Sequence, residues 1–192
     1  YAGISDHSKS SYYVNGLSAE RLLKQIDEIR QLNEKLADFK FLAGVECDIL
    51  ADGSLDYQPE ILKYLDFTII SVHSHFQMTK TEMTGRICQA LKNRYSTILG
   101  HPTGRLLLNR EAYSVDIYEI LDTAAGENKI IEINAAPDRL DLDWRFIEYG
   151  LKKNVKFAIN PDAHRVENFA NIKYGVYTAR KGMLSKINVI NA

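Results

Sequence analysis

The sequence has 192 residues, 45% of them hydrophobic and 26% charged, with a net charge of −1. This balance is typical of a globular protein and excludes a disordered or fibrous chain. Residues 1–138 carry 14 basic and 20 acidic side chains, whereas residues 139–192 carry 10 basic and 5 acidic ones. A basic C-terminal third favours an anionic substrate, although solvated helix surface explains it equally well.

Two further classes are excluded by composition. The only cysteines are Cys47 and Cys88, so a disulfide framework is excluded and a reducing compartment, the cytoplasm, is expected. No apolar run approaches the roughly 20 residues of a membrane span. We therefore expect one domain over residues 1–192 with no membrane segment.

Apolar runs and amphipathic stretches alternate along the chain. Strands are predicted at 1–5, 40–47, 67–72, 97–100, 130–134 and 156–160. Helices are predicted at 18–39, 59–64, 79–92, 115–126 and 142–153, and short helices with a late apolar piece at 187–190 are expected after residue 166. This βα alternation predicts an α/β fold with parallel strands.

Polar side chains follow each predicted strand. They are Asp6 and His7, Glu46, His73, His101, Asn134, and Asp162 with His164. Their spacings of about one βα unit predict that they converge, because parallel strands present their carboxyl ends at one mouth of a barrel.

The residue types at these strand ends indicate a metal site. Four of the five histidines stand there, beside Glu46 and Asp162. Imidazole and carboxylate ligands suit zinc, manganese or iron rather than calcium. His75 and Asp6 have open roles: each could support a neighbouring ligand, His75 could instead face solvent, and Asp6 could instead bind a metal.

Basic residues near these positions are candidate substrate contacts. Arg105 follows His101 in a glycine-bounded loop, and Arg139 follows Asn134 similarly, so each guanidinium could bind a phosphate or form a surface ion pair. Lys9 is a weaker candidate. Cys47 is expected to be a buried thiol rather than a nucleophile.

Five motifs resemble those of the PHP family, the polymerase and histidinol phosphatase domains. They are ISDHS at 4–8, GVE at 44–46, SVHS at 71–74, GHP at 100–102 and NPDAH at 160–164. Two longer segments, GHPTGRLL at 100–107 and EINAAPDRLDL at 132–142, resemble the C-terminal PHP domain of bacterial family X DNA polymerases.

The resemblance implies a distorted (βα)7 TIM-like barrel holding up to three divalent metals. It implies catalytic and metal-ligand roles, which fall on His7, Glu46, His73, His101, Asp162 and His164. It further implies a manganese-dependent 3′-5′ exonuclease or phosphoesterase, acting on DNA within a parent polymerase.

The family's first strand, which ends in His-x-His, has no counterpart here. We therefore expect this sequence to lack the first βα unit of the barrel and some metal ligands. The exposed gap in the barrel predicts a homodimer.

Three other functions stay open at this point. A stand-alone PHP phosphatase would act on small phosphomonoesters such as histidinol phosphate. A non-catalytic PHP domain would support a polymerase structurally. An amidohydrolase-type barrel is disfavoured, because no strand end carries the metal-bridging lysine of that class.

Overall fold

A computed structural model describes residues 1–192 as an α/β fold around one six-stranded sheet. Every strand is parallel to its neighbours, and the strands follow chain order from β1 to β6. They are β1 (Ala2–Ile4), β2 (Phe41–Asp48), β3 (Phe67–Ser71), β4 (Ile98–Leu99), β5 (Ile130–Asn134) and β6 (Lys156–Asn160). The predicted parallel α/β class is confirmed, and the sheet is a curled half-barrel.

Helices connect the strands, as parallel pairing requires. They are α1 (Ala19–Asn33), α2 (Pro59–Leu62), α3 (Lys80–Leu91), α4 (Ile117–Gly126), α5 (Trp144–Lys152) and α6 (Ile172–Lys181). No helix is long and apolar enough to span a bilayer. The main core lies where the helices pack on the sheet, and its fully buried side chains include Leu22, Ile70, Ile120 and Phe157.

Local sequence signals account for most helix starts. Ser18 accepts a hydrogen bond from the Arg21 backbone N–H at the start of α1, and Thr79 forms a reciprocal capping box with Glu82 at the start of α3. Asp143 caps α5 by accepting a hydrogen bond from the Arg145 backbone N–H.

Helix α1 is shorter than predicted. It ends at Asn33 rather than near residue 39, because the Asn33 side chain pairs with both the N–H and the C=O of Phe41, each at 2.8 Å. These bonds tie the end of α1 to the start of β2 across residues 34–40.

The two edges of the sheet differ. Residues 189–191 run along β6: the Ile190 N–H donates to Phe157 O at 2.9 Å, and the Asn191 side chain pairs with both backbone groups of Ile159. Strand β1 pairs only with β2. The sheet is therefore not closed into a complete barrel, and the late apolar piece covers one edge.

Candidate metal centre

Three predicted site residues meet around the buried carboxylate of a fourth, Glu46 on β2. Its Oε1 lies 2.9 Å from Nε2 of His101 and 3.2 Å from Nε2 of His73, and its Oε2 lies 3.4 Å from Nδ1 of His7. The ring centroid of His73 lies 5.0 Å from that of His7 and 5.2 Å from that of His101. Three imidazoles that follow three different strands thus surround one carboxylate.

Asp48 adjoins this group, although the sequence analysis did not single it out. Its Oδ1 lies 2.6 Å from Nδ1 of His73. The available signal was its position two residues after Glu46, since alternate residues of a strand face the same side. The ligand atoms of His7, Asp48 and His73 lie within 4.8 Å of one another, as do those of Glu46, His73 and His101.

Three ring nitrogens of this cluster lack a hydrogen-bond partner. Nδ1 of His7, Nε2 of His73 and Nδ1 of His101 are buried and make no hydrogen bond. Buried polar atoms are normally satisfied. Imidazole nitrogens beside two carboxylates are the donors that zinc, manganese and iron accept. The residues present therefore fit a divalent metal.

Electrostatics at the cluster point the same way. Burial disfavours the charged forms, but the bonds of His73 to Asp48 and Glu46 outweigh it and raise the pKa of His73 to about 9. Burial likewise opposes ionisation of Glu46, yet the neighbouring imidazoles of His101 and His73 hold the pKa of this carboxyl well below its usual range. The site therefore stabilises positive charge at its centre.

Asp162 and His164 form a second part of the site beyond the end of β6. Asp162 has a φ of 50°, accepts a hydrogen bond from Nδ2 of Asn134 at 3.0 Å and lies 3.4 Å from Nε of Arg139. His164 is exposed, with its ring centroid 6.2 Å from that of His7. The structure therefore brings His164 beside the first group, while Asp162 is held by an amide and a guanidinium.

Glu132 of β5 joins the two parts and was also missed. Its Oε2 accepts hydrogen bonds from the His101 N–H at 2.7 Å and from Nδ2 of Asn134 at 3.1 Å, and its Oε1 accepts one from Nδ2 of Asn160 at 2.8 Å. Burial raises its pKa to about 7. The signal was again alternation, because Glu132 precedes the noted Asn134 by two residues.

A cavity of about 1230 Å³ runs between the ends of the sheet, from β1 to β6. Its lining includes both parts of the site: His7, Glu46, His101, Glu132, Asn134, Asp162 and His164. Five of the six candidate metal ligands therefore open onto one shared space, whereas His73 does not line it.

Comparison with known proteins agrees with these motifs. No protein-family profile matches the chain. It is 42% identical over all 192 residues to a Bacillus subtilis protein named DNA polymerase/3′-5′ exonuclease PolX, of which it covers 34%. The chain is a PHP domain of the family X polymerase type.

Other similar proteins cover less of this PHP domain. A probable phosphatase of Thermoanaerobacter sp. is 31% identical over 146 residues, which are 71% of the chain and 57% of that protein. The crystal structure of histidinol phosphate phosphatase from Lactococcus lactis, complexed with zinc, L-histidinol and phosphate, has a TM-score of 0.59 at 19% identity over 85% of this chain and 75% of that one. The domain thus spans about a third to just over a half of the curated relatives.

The two arginines expected to hold phosphate differ in this PHP domain. Arg105 donates through Nε to Arg139 O at 2.9 Å, through a terminal nitrogen to Leu140 O, and through the other to Asp143 at 3.0 Å. The expected phosphate contact of Arg105 stays a prediction, since all three nitrogens of its side chain bind residues 139, 140 and 143 in the segment after β5. Arg139 instead lies at Asp162 with a buried Nη1 that has no partner.

The remaining candidates lie around the rim of the PHP domain or away from the ligands. Lys9 is exposed, with its Nζ 6.0 Å from the centre of the Tyr57 ring. His75 is exposed, and Asp6 is exposed and accepts a hydrogen bond from Gln25. Neither belongs to a metal-ligand group. Cys47 is fully buried, as expected for a core thiol.

Proposed function

We propose that this PHP domain is a metal-dependent phosphoesterase that acts as a 3′-5′ exonuclease on DNA phosphodiesters. The observation that carries the proposal is the buried Glu46 carboxylate surrounded by three imidazoles with unsatisfied ring nitrogens. The similarity to PolX, whose name includes a 3′-5′ exonuclease, supports this substrate class.

The proposed metal ligands are His7, Glu46, His73, His101, Asp162 and His164, with Asp48 added from the geometry. The metals are manganese or zinc, with iron as a further candidate, and the complete domain holds up to three ions. A bound divalent ion supplies Lewis-acid stabilisation of phosphate charge and activates water as the nucleophile.

The protein's own residues orient that chemistry. Glu132 accepts hydrogen bonds from the His101 backbone N–H and from the Asn134 side chain, and so orients both. Asn134 in turn donates to Asp162. Arg139 beside Asp162 offers a guanidinium to a substrate phosphate, whose paired oxygens match its donors. Lys9 at the rim contributes positive charge to the approach of a polyanion.

A stand-alone phosphatase of small phosphomonoesters such as histidinol phosphate is the second candidate. The probable phosphatase and the histidinol phosphate phosphatase fold favour it. A non-catalytic, structural role for the domain is the third, and the unsatisfied histidine nitrogens argue against it.

The wider setting is also proposed. The domain, residues 1–192, is one part of a longer cytoplasmic polymerase that brings it to DNA. In that protein a seventh strand, supplied by the first βα unit, completes the barrel. Without it, the open edge of β1 supports a homodimer, which sedimentation velocity over a concentration series would detect.

Activity on matched substrates tests the proposal. The manganese-loaded chain is expected to shorten a 5′-labelled single-stranded oligonucleotide from its 3′ end faster than it releases phosphate from histidinol phosphate. His101→Ala should abolish both metal binding and shortening, whereas Lys156→Ala, an exposed residue of β6, should change neither. Phosphate release from histidinol phosphate without oligonucleotide shortening would favour the second candidate instead.

A further inference from the structure

One loop beside the candidate metal centre combines tight anchoring with exposed aromatic rings. We call residues 8–17 the tyrosine loop. Its ends are tied to the candidate metal centre, because the Leu17 N–H donates to His7 O at 2.8 Å and the Ser8 N–H donates to Glu46 O at 2.9 Å. The loop is therefore fixed to two proposed metal ligands.

Three serines anchor the tyrosine loop to Asp48. Ser10 and Ser11 donate their hydroxyls to its carboxylate at 2.5 to 3.1 Å, and the Ser8 hydroxyl accepts from the Asp48 N–H at 2.9 Å. Ser8 and Ser11 are fully buried. The loop is thus anchored to Asp48 through side chains at three of its positions.

Two tyrosines stand out from this rigid base. Tyr12 and Tyr13 are 83% and 61% exposed, in a 3₁₀ turn that follows the anchored Ser11 directly. Their ring centroids lie 5.9 Å apart at 84°, and the side-chain hydroxyls have no hydrogen-bond partner in the protein. Burial of these rings therefore contributes little to the stability of the fold, and their faces are free for a ligand.

The tyrosine loop also carries a positive charge. Lys9 is exposed within the same loop. Arg110 lies 4.4 Å from the centre of the Phe76 ring and donates two hydrogen bonds to Gly104 O. Exposed aromatic faces in a loop that also carries an exposed cation match a polyanion with flat, unpaired bases, because a base can stack while its phosphate meets the positive charge.

We propose that Tyr12 and Tyr13 form a stacking platform that binds unpaired bases of a single-stranded nucleic acid whose end enters the metal centre. This inference rests on the proposed function and assigns its substrate contacts. Tyr12 follows Ser11, which binds Asp48, and consecutive Cα atoms are about 3.8 Å apart, so the platform stands beside the reacting end. It selects single strands, since bases paired in a duplex have no free faces.

Binding of labelled oligonucleotides to the 192-residue chain tests the platform without requiring catalysis. Fluorescence anisotropy would measure the affinity for a short fluorescein-labelled oligothymidylate and for an abasic oligomer with the same number of phosphates. Tyr12→Ala with Tyr13→Ala should weaken oligothymidylate binding about 10- to 100-fold. It should leave binding of the abasic oligomer unchanged.

Two further variants make the result specific. Tyr12→Trp with Tyr13→Trp should restore oligothymidylate binding, because indole offers a larger stacking face. Tyr177→Ala removes a tyrosine on α6 that is 62% exposed, and it should have no effect. Equal loss of binding to both oligomers, or no loss with either, would overturn the platform.

Hydrolysis of bis(p-nitrophenyl) phosphate separates this proposal from the one on which it rests. If the alanine variant cleaves the small ester at the wild-type rate but has lost oligothymidylate binding, both proposals stand. If neither wild type nor any variant cleaves an ester, yet oligothymidylate binding depends on the tyrosines, the phosphoesterase proposal is wrong and the platform proposal stands. If the small ester is cleaved but oligothymidylate binding does not depend on the tyrosines, only the platform proposal is wrong.

Discussion

Nδ1 of His73 lies 2.6 Å from Oδ1 of Asp48, and the same carboxylate is held by the hydroxyls of Ser10 and Ser11. His73 contacts Glu46 through its other nitrogen. One imidazole therefore connects the carboxylates of Glu46 and Asp48, which follow each other at alternate positions of β2.

Asp48→Asn should weaken metal binding about 10- to 100-fold, because the neutral amide neither supplies the negative charge that stabilises a cation nor fixes the orientation of the His73 ring. Isothermal titration of the metal-free chain with Mn²⁺ or Zn²⁺ measures this change. Asp27→Asn, an exposed residue of α1, is the matched control and should leave affinity unaltered. Equal affinities for the Asp48 variant and wild type would remove Asp48 from the site.

Arg86 is a buried cation that ties together the segments after β2 and β3. It donates to Leu50 O at 2.9 Å, to Ser74 O at 2.8 Å and to Ile49 O. Arg86→Met should lower the free energy of unfolding by about 3 kcal/mol, since it leaves buried carbonyls unsatisfied. Arg86→Lys should recover only part of that unfolding free energy, because an ammonium group lacks the planar, forked donor geometry of the guanidinium.

Urea denaturation followed by circular dichroism measures the Arg86 effect. Arg180→Met, at an exposed position of α6, controls for the loss of a positive charge and should be nearly neutral. A similar small change in both variants would mean that the carbonyls find water in place of Arg86.

Sequence patterns predicted the sheet well because its strands are short apolar runs bounded by turns. Strands β5 and β6 have the predicted bounds, 130–134 and 156–160. The roles of Asp48 and Arg105 were not predictable in the same way, since each is set by partners at least 25 residues distant. The backbone carbonyls that accept hydrogen bonds from Arg105 cannot be recognised from the sequence, because every residue has such a group.

Gly16 is required by the close approach of two backbone segments in the tyrosine loop. A Cβ atom there would lie 2.0 Å from Ser8 O. Gly16→Ala should therefore displace the loop and lower the free energy of unfolding by about 1–3 kcal/mol. Gly85→Ala is the matched control: nothing lies within 4 Å of its Cβ position in α3, so it should stabilise the protein by about 0.5–1 kcal/mol in the same denaturation experiment.

Asp143 gives a pH-dependent contribution away from the metal ligands. Burial opposes its ionisation, but bonds from Arg145 and Arg105 hold the pKa of this carboxyl well below its usual value. A depressed folded-state pKa stabilises the protein above the unfolded pKa of about 3.9, and this stabilisation is lost as the pH falls through the folded value.

Asp143→Asn should therefore cost about 1–2 kcal/mol of unfolding free energy at pH 7, while the amide retains the helix cap. The difference from wild type should shrink as the pH is lowered below about 4. Urea titrations at several pH values measure it, with the exposed Asp38→Asn as a control expected to show no difference. A constant difference across the pH range would assign the loss to packing rather than charge.

The unequal edges of the sheet limit how copies of this chain can associate. Residues 189–191 already occupy the hydrogen-bonding groups of β6, so only β1 can accept another strand. When two copies join through β1, each copy covers the only free strand edge of the other. The resulting pair has a two-fold axis and no free edge to which a third chain could add. Self-association by this route therefore stops at two chains and cannot propagate into a fibril.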